Sequence, residues 1–141
     1  MTRQPTFRDA LMAGPILFDG ATGTQLYERG IVFNRSFDEL NLSQPDLVRE
    51  IHAEYVASGA HVIETNTFGA NRIALTRHGA QDRVREMNAA GARIARETTG
   101  GIAFVAGAIG PTGLDASEVV GAARGRTTDA FTAQADALLG G

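Results

Sequence analysis

Short apolar runs alternate with amphipathic stretches along the chain, and the alternation predicts strand, loop and helix in repeating order. Ile16-Leu17-Phe18, which ends abruptly at Asp19-Gly20, predicts a first buried strand; His61 to Thr65 predicts a second and Ile102 to Ala108 a third. Between the first two, Ser43 opens a distinct helix. Ser43 and Asp46 form a capping-box-like pair, and Pro45 sits in the first turn, where its missing N–H costs nothing. Leu47, Val48, Ile51, Tyr55 and Val56 then fall on one face, and Gly59 ends the helix. Asp82 to Thr98 predicts a long helix with Val84, Met87, Ile94 and Ala95 inward, stopped by Gly100-Gly101. A further helix starts at Thr128 or Asp129, with Phe131, Ala135, Leu138 and Leu139 at core spacing. Shorter helical pieces are expected at Phe7 to Ala13, capped by Thr6 and stopped by Gly14-Pro15, at Thr24 to Arg29, and at Ile73 to Arg77 before Gly79. Ile31 to Leu42 reads as irregular and Asn66 to Asn71 as a loop.

Three βα repeats imply an α/β fold with a parallel sheet and right-handed crossovers. An open doubly wound sheet and part of a (β/α)8 barrel both fit, and the pattern alone does not separate them. Both place function at the carboxyl ends of the strands. That rule selects three loops: Asp19 to Thr24, Thr65 to Asn71, and Gly110 to Gly113.

Composition narrows the chemistry. The 141 residues are 43% hydrophobic and 21% charged, which suits one soluble domain. There is no cysteine, which excludes a disulfide framework and any cysteine-ligated zinc made by this chain alone. All 13 basic residues are arginine, so lysine Schiff-base chemistry and a Walker-type phosphate loop are excluded. A net charge of -3 gives no electrostatic footprint for nucleic acid. The longest uncharged run, Thr98 to Leu114, is broken by glycine and proline and cannot span a membrane. Arg3 and Arg8 precede an apolar stretch that lacks an export-type cleavage site, and a cytoplasmic location is expected.

In the first loop, Asp19-Gly20-Ala21-Thr22-Gly23-Thr24 joins a carboxylate to a backbone that can offer N–H groups to an anion. An α-amino acid carries both complementary charges: its ammonium would meet Asp19 and its carboxylate the Gly/Thr loop. The alternative is that Asp19 caps the following turn and the glycines only shape it. In the second loop, strand alternation puts Val62, Glu64 and Asn66 on one side. With Asn66 facing a site, Glu64 lies one layer deeper as a buried carboxylate, either binding ligand or holding the loop through hydrogen bonds. His52 lies among charged helix positions, His78 precedes a helix-ending glycine and His61 opens a strand; no pair has metal-ligand spacing, and all three read as structural. Arg83, Arg85, Arg93 and Arg96 read as a solvated outer face.

Four segments in this order carry a family resemblance: Asp19-Gly-Ala-Thr-Gly-Thr24, Asn41-Leu-Ser-Gln-Pro-Asp46, Ser58-Gly-Ala-His-Val-Ile-Glu-Thr-Asn-Thr-Phe-Gly-Ala-Asn71 and Gly107-Ala-Ile-Gly-Pro-Thr-Gly113. Together they resemble the homocysteine S-methyltransferase family, including the homocysteine-binding domain of cobalamin-dependent methionine synthase. The resemblance implies a (β/α)8 barrel that passes a methyl group to the homocysteine thiolate, held on a zinc ion by three cysteines. Zinc coordination makes chemical sense, because it deprotonates a thiol of ordinary pKa. By this resemblance Asp19 receives the homocysteine ammonium, and Gly20, Thr22, Gly23 and Thr24 belong to the loop near its carboxylate. Thr65, Asn66 and Thr67 then belong to the polar end of the second strand, and Gly110 and Thr112 to that of the third, while Glu64, read from strand alternation, is expected to join them in binding substrate.

The departure from the family is the absence of cysteine. The expectation is therefore residues 1–141 as the N-terminal three βα units of an incomplete barrel, ending before the fourth strand. Such a chain supplies part of the substrate pocket, no metal ligand and no catalytic residue, and is inactive alone. Cobalamin or folate would enter only through other domains, and a complementing chain or downstream domains are the expected partners. The alternatives are a stand-alone α/β amino-acid-binding module and a subunit that completes a barrel with a partner chain.

Overall fold

The structure, a computed structural model, describes residues 5–32 and 35–141. Arg3, and positions 33 and 34 of the stretch read as irregular, lie outside the described residues. The chain opens with α1 (Phe7–Ala13), capped as the sequence predicts: the Thr6 hydroxyl accepts from the Asp9 N–H at 3.2 Å, and the Asp9 carboxylate accepts from the Thr6 N–H at 2.9 Å. Then follow α2 (Thr22–Glu28), α3 (Leu40–Ser43), α4 (Pro45–Ala57), β1 (Val62–Glu64) and α5 (Arg72–Leu75), which runs into a 3₁₀ turn at Thr76–His78. The last elements are α6 (Val84–Thr99), β2 (Phe104–Ala106), a 3₁₀ turn at Ala116–Glu118, and α7 (Ala122–Leu139).

β1 and β2 pair in parallel, with Val62 opposite Phe104, Ile63 opposite Val105 and Glu64 opposite Ala106. On the other side of β1, Phe18 makes a single parallel bridge to Val62. The spatial order is thus Phe18, β1, β2, following the sequence. The predicted buried strand at Ile16 to Phe18 is reduced to that bridge, and Leu17 and Phe18 are exposed. The reason is local competition. Leu17 donates its N–H to His61 Nδ1 at 3.0 Å rather than to a ladder carbonyl, and the His61 and Val62 N–H groups both converge on the Leu17 carbonyl.

α6 is the organising helix. It packs against α4 and α7 and touches both strands; α4 also touches β1, so α4 and α6 cover one face of the sheet. Leu26, Leu40, Val48, Ile51 and Ile94 form one core cluster, and Ala60, Ile63, Ala95 and Ala103 another. Val84, Met87, Ile94 and Ala95 all lie inward as predicted, and Arg83, Arg85, Arg93 and Arg96 are exposed.

Three helix readings change. Ser43 does not cap α4. It is the last residue of α3, its hydroxyl is engaged with Glu39 and Arg35, and Gln44 stands at the cap without a side-chain hydrogen bond. α7 begins at Ala122, well before Thr128, and buries Ala130, Gln134 and Ala137. Leu139 is 85% exposed, while Phe131, Ala135 and Leu138 are only half-buried. The seam with α6 is made by small side chains and one amide, a pattern that large-apolar periodicity does not reveal. Thirdly, His52 is 0% exposed rather than at a charged surface, and neither ring nitrogen has a hydrogen-bond partner. No described helix is long and apolar enough to cross a membrane.

Candidate functional site

At the carboxyl ends of the bridge strand and β1 opens a cleft of about 430 Å³. Its walls are the start of α2 (Gly20 to Gly23), the segment Arg35 to Asp38, the β1 end and following loop (Glu64 to Gly69), His78 and Ala108. Of the residues singled out in the sequence, Gly20, Thr22, Gly23, Glu64, Thr65, Asn66 and Thr67 meet here. Thr24 is exposed outside the walls, because helix α2 begins at Thr22 instead of Thr24 and turns that side chain away. Gly110 and Thr112 do not line the cleft either. The Gly110 N–H holds the Phe68 carbonyl at 2.8 Å, and a Cβ there would stand 2.5 Å from that oxygen, so Gly110 shapes the neighbouring loop. Thr112 is buried and lines a different cleft, with Arg77 and Arg126.

Asp19 adjoins Gly20 in the chain but is not itself among the residues that line the cleft. It does not cap α2, whose cap residue is Ala21 and carries no side-chain hydrogen bond. Instead its Oδ2 accepts from the Glu64 N–H at 3.1 Å, which ties the two strand ends together. Oδ1 is buried without a hydrogen-bond partner. Burial, with the Glu64 charge adding to it and the Glu64 N–H opposing, pushes the Asp19 carboxyl up to about 6. Burial and the Asp19 charge also push the nearby Tyr55 phenol up. Glu64 is exposed and lines the cleft, contrary to the expectation of a deeper, buried acid: strand pairing ends at Glu64, so no next layer covers it.

The buried carboxylate of the cleft is Asp38, which the sequence reading missed. It is 7% exposed, accepts from the Gly69 N–H at 3.0 Å and the Ser36 hydroxyl at 3.1 Å, and burial raises its pKa. Arg35, Phe37 and His78 were also missed. They come from irregular or terminal positions where no periodicity points at them; only the tight Gly69, whose Cβ would stand 2.8 Å from Asp38 Oδ2, hints at the contact.

The hydroxyls of Thr65 and Thr67 are committed to structure. Thr65 Oγ1 accepts from the Ala108 N–H at 3.0 Å, Thr67 Oγ1 donates to the Ala108 carbonyl at 2.8 Å, and the two oxygens lie 2.6 Å apart. Thr67 having spent its proton on Ala108, Thr65 is the donor between them. Asn66 likewise spends its amide on the Phe37 carbonyl and Asn41. Among the lining side chains that remain exposed are Glu64, an acid, Arg35, a cation, and His78, an imidazole, with Gly20 to Gly23 contributing the start of α2. The donor set does not fit a zinc site: the chain has no cysteine, and no group of three or more His, Asp or Glu among the described residues could hold a metal ion.

A parallel α/β fold with its polar cleft at the strand ends defines an enzyme-type binding domain. The homocysteine S-methyltransferase family model matches residues 16–141, and the chain belongs to that family. It is 33% identical over 115 residues to a methionine synthase of Mycobacterium tuberculosis (strain ATCC 25618 / H37Rv), a match covering 73% of this chain and 10% of that protein. Among solved structures it is similar to the homocysteine methyltransferase MmuM from Escherichia coli. The oxidized form matches with a TM-score of 0.69 at 26% identity, over 91% of this chain and 52% of that one. The metallated form matches with a TM-score of 0.73 at 25% identity, over 92% and 52%. The chain thus spans about half of those structures and about a tenth of the methionine synthase.

Proposed function

We propose that this chain supplies the amino-acid-binding part of a homocysteine S-methyltransferase domain, built as three βα units of a (β/α)8 barrel. The parallel order Phe18, β1, β2, with α4 and α6 on one face, supports the barrel reading. Asp19 carries the functional one. It is a half-buried carboxylate beside a second acid, Glu64, with an unpartnered oxygen and no ion pair among the described residues. A cation is the missing complement. The homocysteine ammonium is received by the Asp19–Glu64 pair, and its carboxylate faces the backbone of Gly20 to Gly23. Thr24, Gly110 and Thr112 contribute through loop shape. Zinc would supply the thiolate chemistry in the family domain; no step of it is assigned to residues of this chain, which alone transfers no methyl group.

Titration calorimetry of the 141-residue chain with L-homocysteine and with 4-sulfanylbutanoate, which lacks the amino group, tests this. The deaminated ligand is expected to bind about tenfold more weakly or worse. Because Asp19 must ionise to hold an ammonium, homocysteine affinity is expected to fall as pH drops through about 6. Equal affinities for the two ligands at pH near 7 would contradict the assignment.

A further inference from the structure

The loop after β1 has no regular structure to satisfy its backbone, and yet its carbonyls and N–H groups are held one after another by different elements. The Asn66 carbonyl accepts from Asn41 Nδ2 of α3 at 2.7 Å. The Thr67 carbonyl accepts from Gln134 Nε2 of α7 at 2.7 Å, the Phe68 carbonyl from the Gly110 N–H, and the Ala70 carbonyl from Asn88 Nδ2 of α6 at 2.8 Å. The Gly69 N–H goes to Asp38, and the Ala70 N–H returns to the Thr67 carbonyl.

The amides also hold one another. Gln134 gives its second N–H to Asn88 Oδ1 at 3.2 Å, and Asn88 gives its second to the Val84 carbonyl at 2.7 Å. Asn41 gives its second to the Met87 carbonyl at 3.2 Å. Every acceptor in this set is an oxygen, so the orientation of each amide is fixed by its neighbours. Gln134 is the outlying member. It lies 67 residues from Thr67, is 0% exposed, and sits on a helix that contributes nothing to the cleft walls. The other buried residues of α7 are alanines, Ala130 and Ala137, and burying Gln134 beside them leaves its Oε1 without a hydrogen-bond partner. What it contributes is the two protons it gives, one to the Thr67 carbonyl and one to Asn88.

We propose that Gln134 is a positioning residue: from outside the cleft, its amide fixes the backbone of residues 66–70 and thereby the polar wall that ligand meets. The consequence for homocysteine rests on the function proposed above; the effect on the loop does not. Gln134 thus couples α7 to the cleft wall, and its loss leaves the buried Thr67 carbonyl with the Ala70 N–H as its remaining donor.

Amide hydrogen exchange by NMR on wild type, Gln134→Leu and Gln134→Glu tests the assignment. In Gln134→Leu, protection of the Ala70 and Gly110 N–H groups is expected to drop about tenfold, while the strand amides of Asp19 and Phe104 change by less than about twofold. Gln134→Glu keeps the shape and gives a second, independent reading. A protonated carboxyl can donate to the Thr67 carbonyl and an ionised one cannot, so loop protection relative to wild type at the same pH is expected to recover as the medium is acidified. Equal changes in both sets of amides, or no change at Ala70 and Gly110 in either variant, would overturn the proposal. In the same variants homocysteine affinity should fall about tenfold; a loosened loop with unchanged affinity would reduce Gln134 to a structural residue. Failure of the wild type to bind homocysteine would sink the ligand reading alone, with the exchange pattern still deciding the role of Gln134.

Discussion

Gly91→Ala is expected to destabilise the chain by about 3 kcal/mol, although alanine is the better helix former by about 1 kcal/mol. Gly91 lies inside α6, where a Cβ would stand 2.6 Å from Thr67 Cγ2 and 2.8 Å from Asn41 Nδ2. Neither neighbour can step aside freely. Thr67 is bonded to Ala108 and Thr65, and Asn41 holds the Asn66 and Met87 carbonyls. An added methyl therefore costs overpacking, or a hydrogen bond to a buried carbonyl, and both exceed the gain in helix propensity. Urea unfolding gives the comparison directly. A variant as stable as wild type, or more stable, would show that α3, α6 and the β1 loop are not packed as closely as described.

Acid is expected to weaken the fold through His52. The ring is fully buried without a hydrogen-bond partner, and burial pushes its pKa down to about 4. In the unfolded chain the group returns to about 6.5. The folded pKa is the lower one, so the unfolded state binds the extra proton. Stability is complete above about 6.5 and is lost as pH falls from there towards about 4, by about 3 kcal/mol in all. Asp19 acts in the opposite sense. Its folded pKa is raised to about 6, so its unfavourable burial is absent at low pH and grows as pH rises. Asp19 is half exposed and solvent screens it, so the His52 effect prevails. Comparing urea midpoints of wild type and His52→Leu between pH 7 and 4.5 isolates the histidine: the leucine variant should lose about 2 kcal/mol less over that range. Parallel profiles would contradict the buried, neutral ring.

The features legible in the sequence are the local ones. Thr6 and Asp9 cap α1 through a four-residue pattern that needs no tertiary partner, and α6 shows its buried face in Val84, Met87, Ile94 and Ala95. The strand-end cleft was legible in part, because Gly20 to Gly23 and Glu64 to Thr67 follow short apolar runs whose ends the βα pattern brings to one side. What was not legible depends on contacts distant in sequence. Ile16 to Phe18 reads as a strand but is claimed by the His61 ring. α7 buries alanines and a glutamine, and its first turns carry Arg124, Gly125 and Arg126, which resemble loop composition. Asp38 is buried in a stretch without periodicity, through a contact to Gly69 that no local pattern encodes.

In the proposed function, Asp19 is the anionic anchor of an amino-acid cleft. Asp19→Asn keeps the side-chain shape, and its amide oxygen can still accept from the Glu64 N–H at the strand end. Calorimetric titration of L-homocysteine into wild type and Asp19→Asn, with thermal melts of both, is the direct measurement. The expected result is a loss of affinity of about tenfold or more with the melting midpoint preserved or raised. Unchanged affinity would contradict the claim and leave Asp19 as a tie between two strand ends.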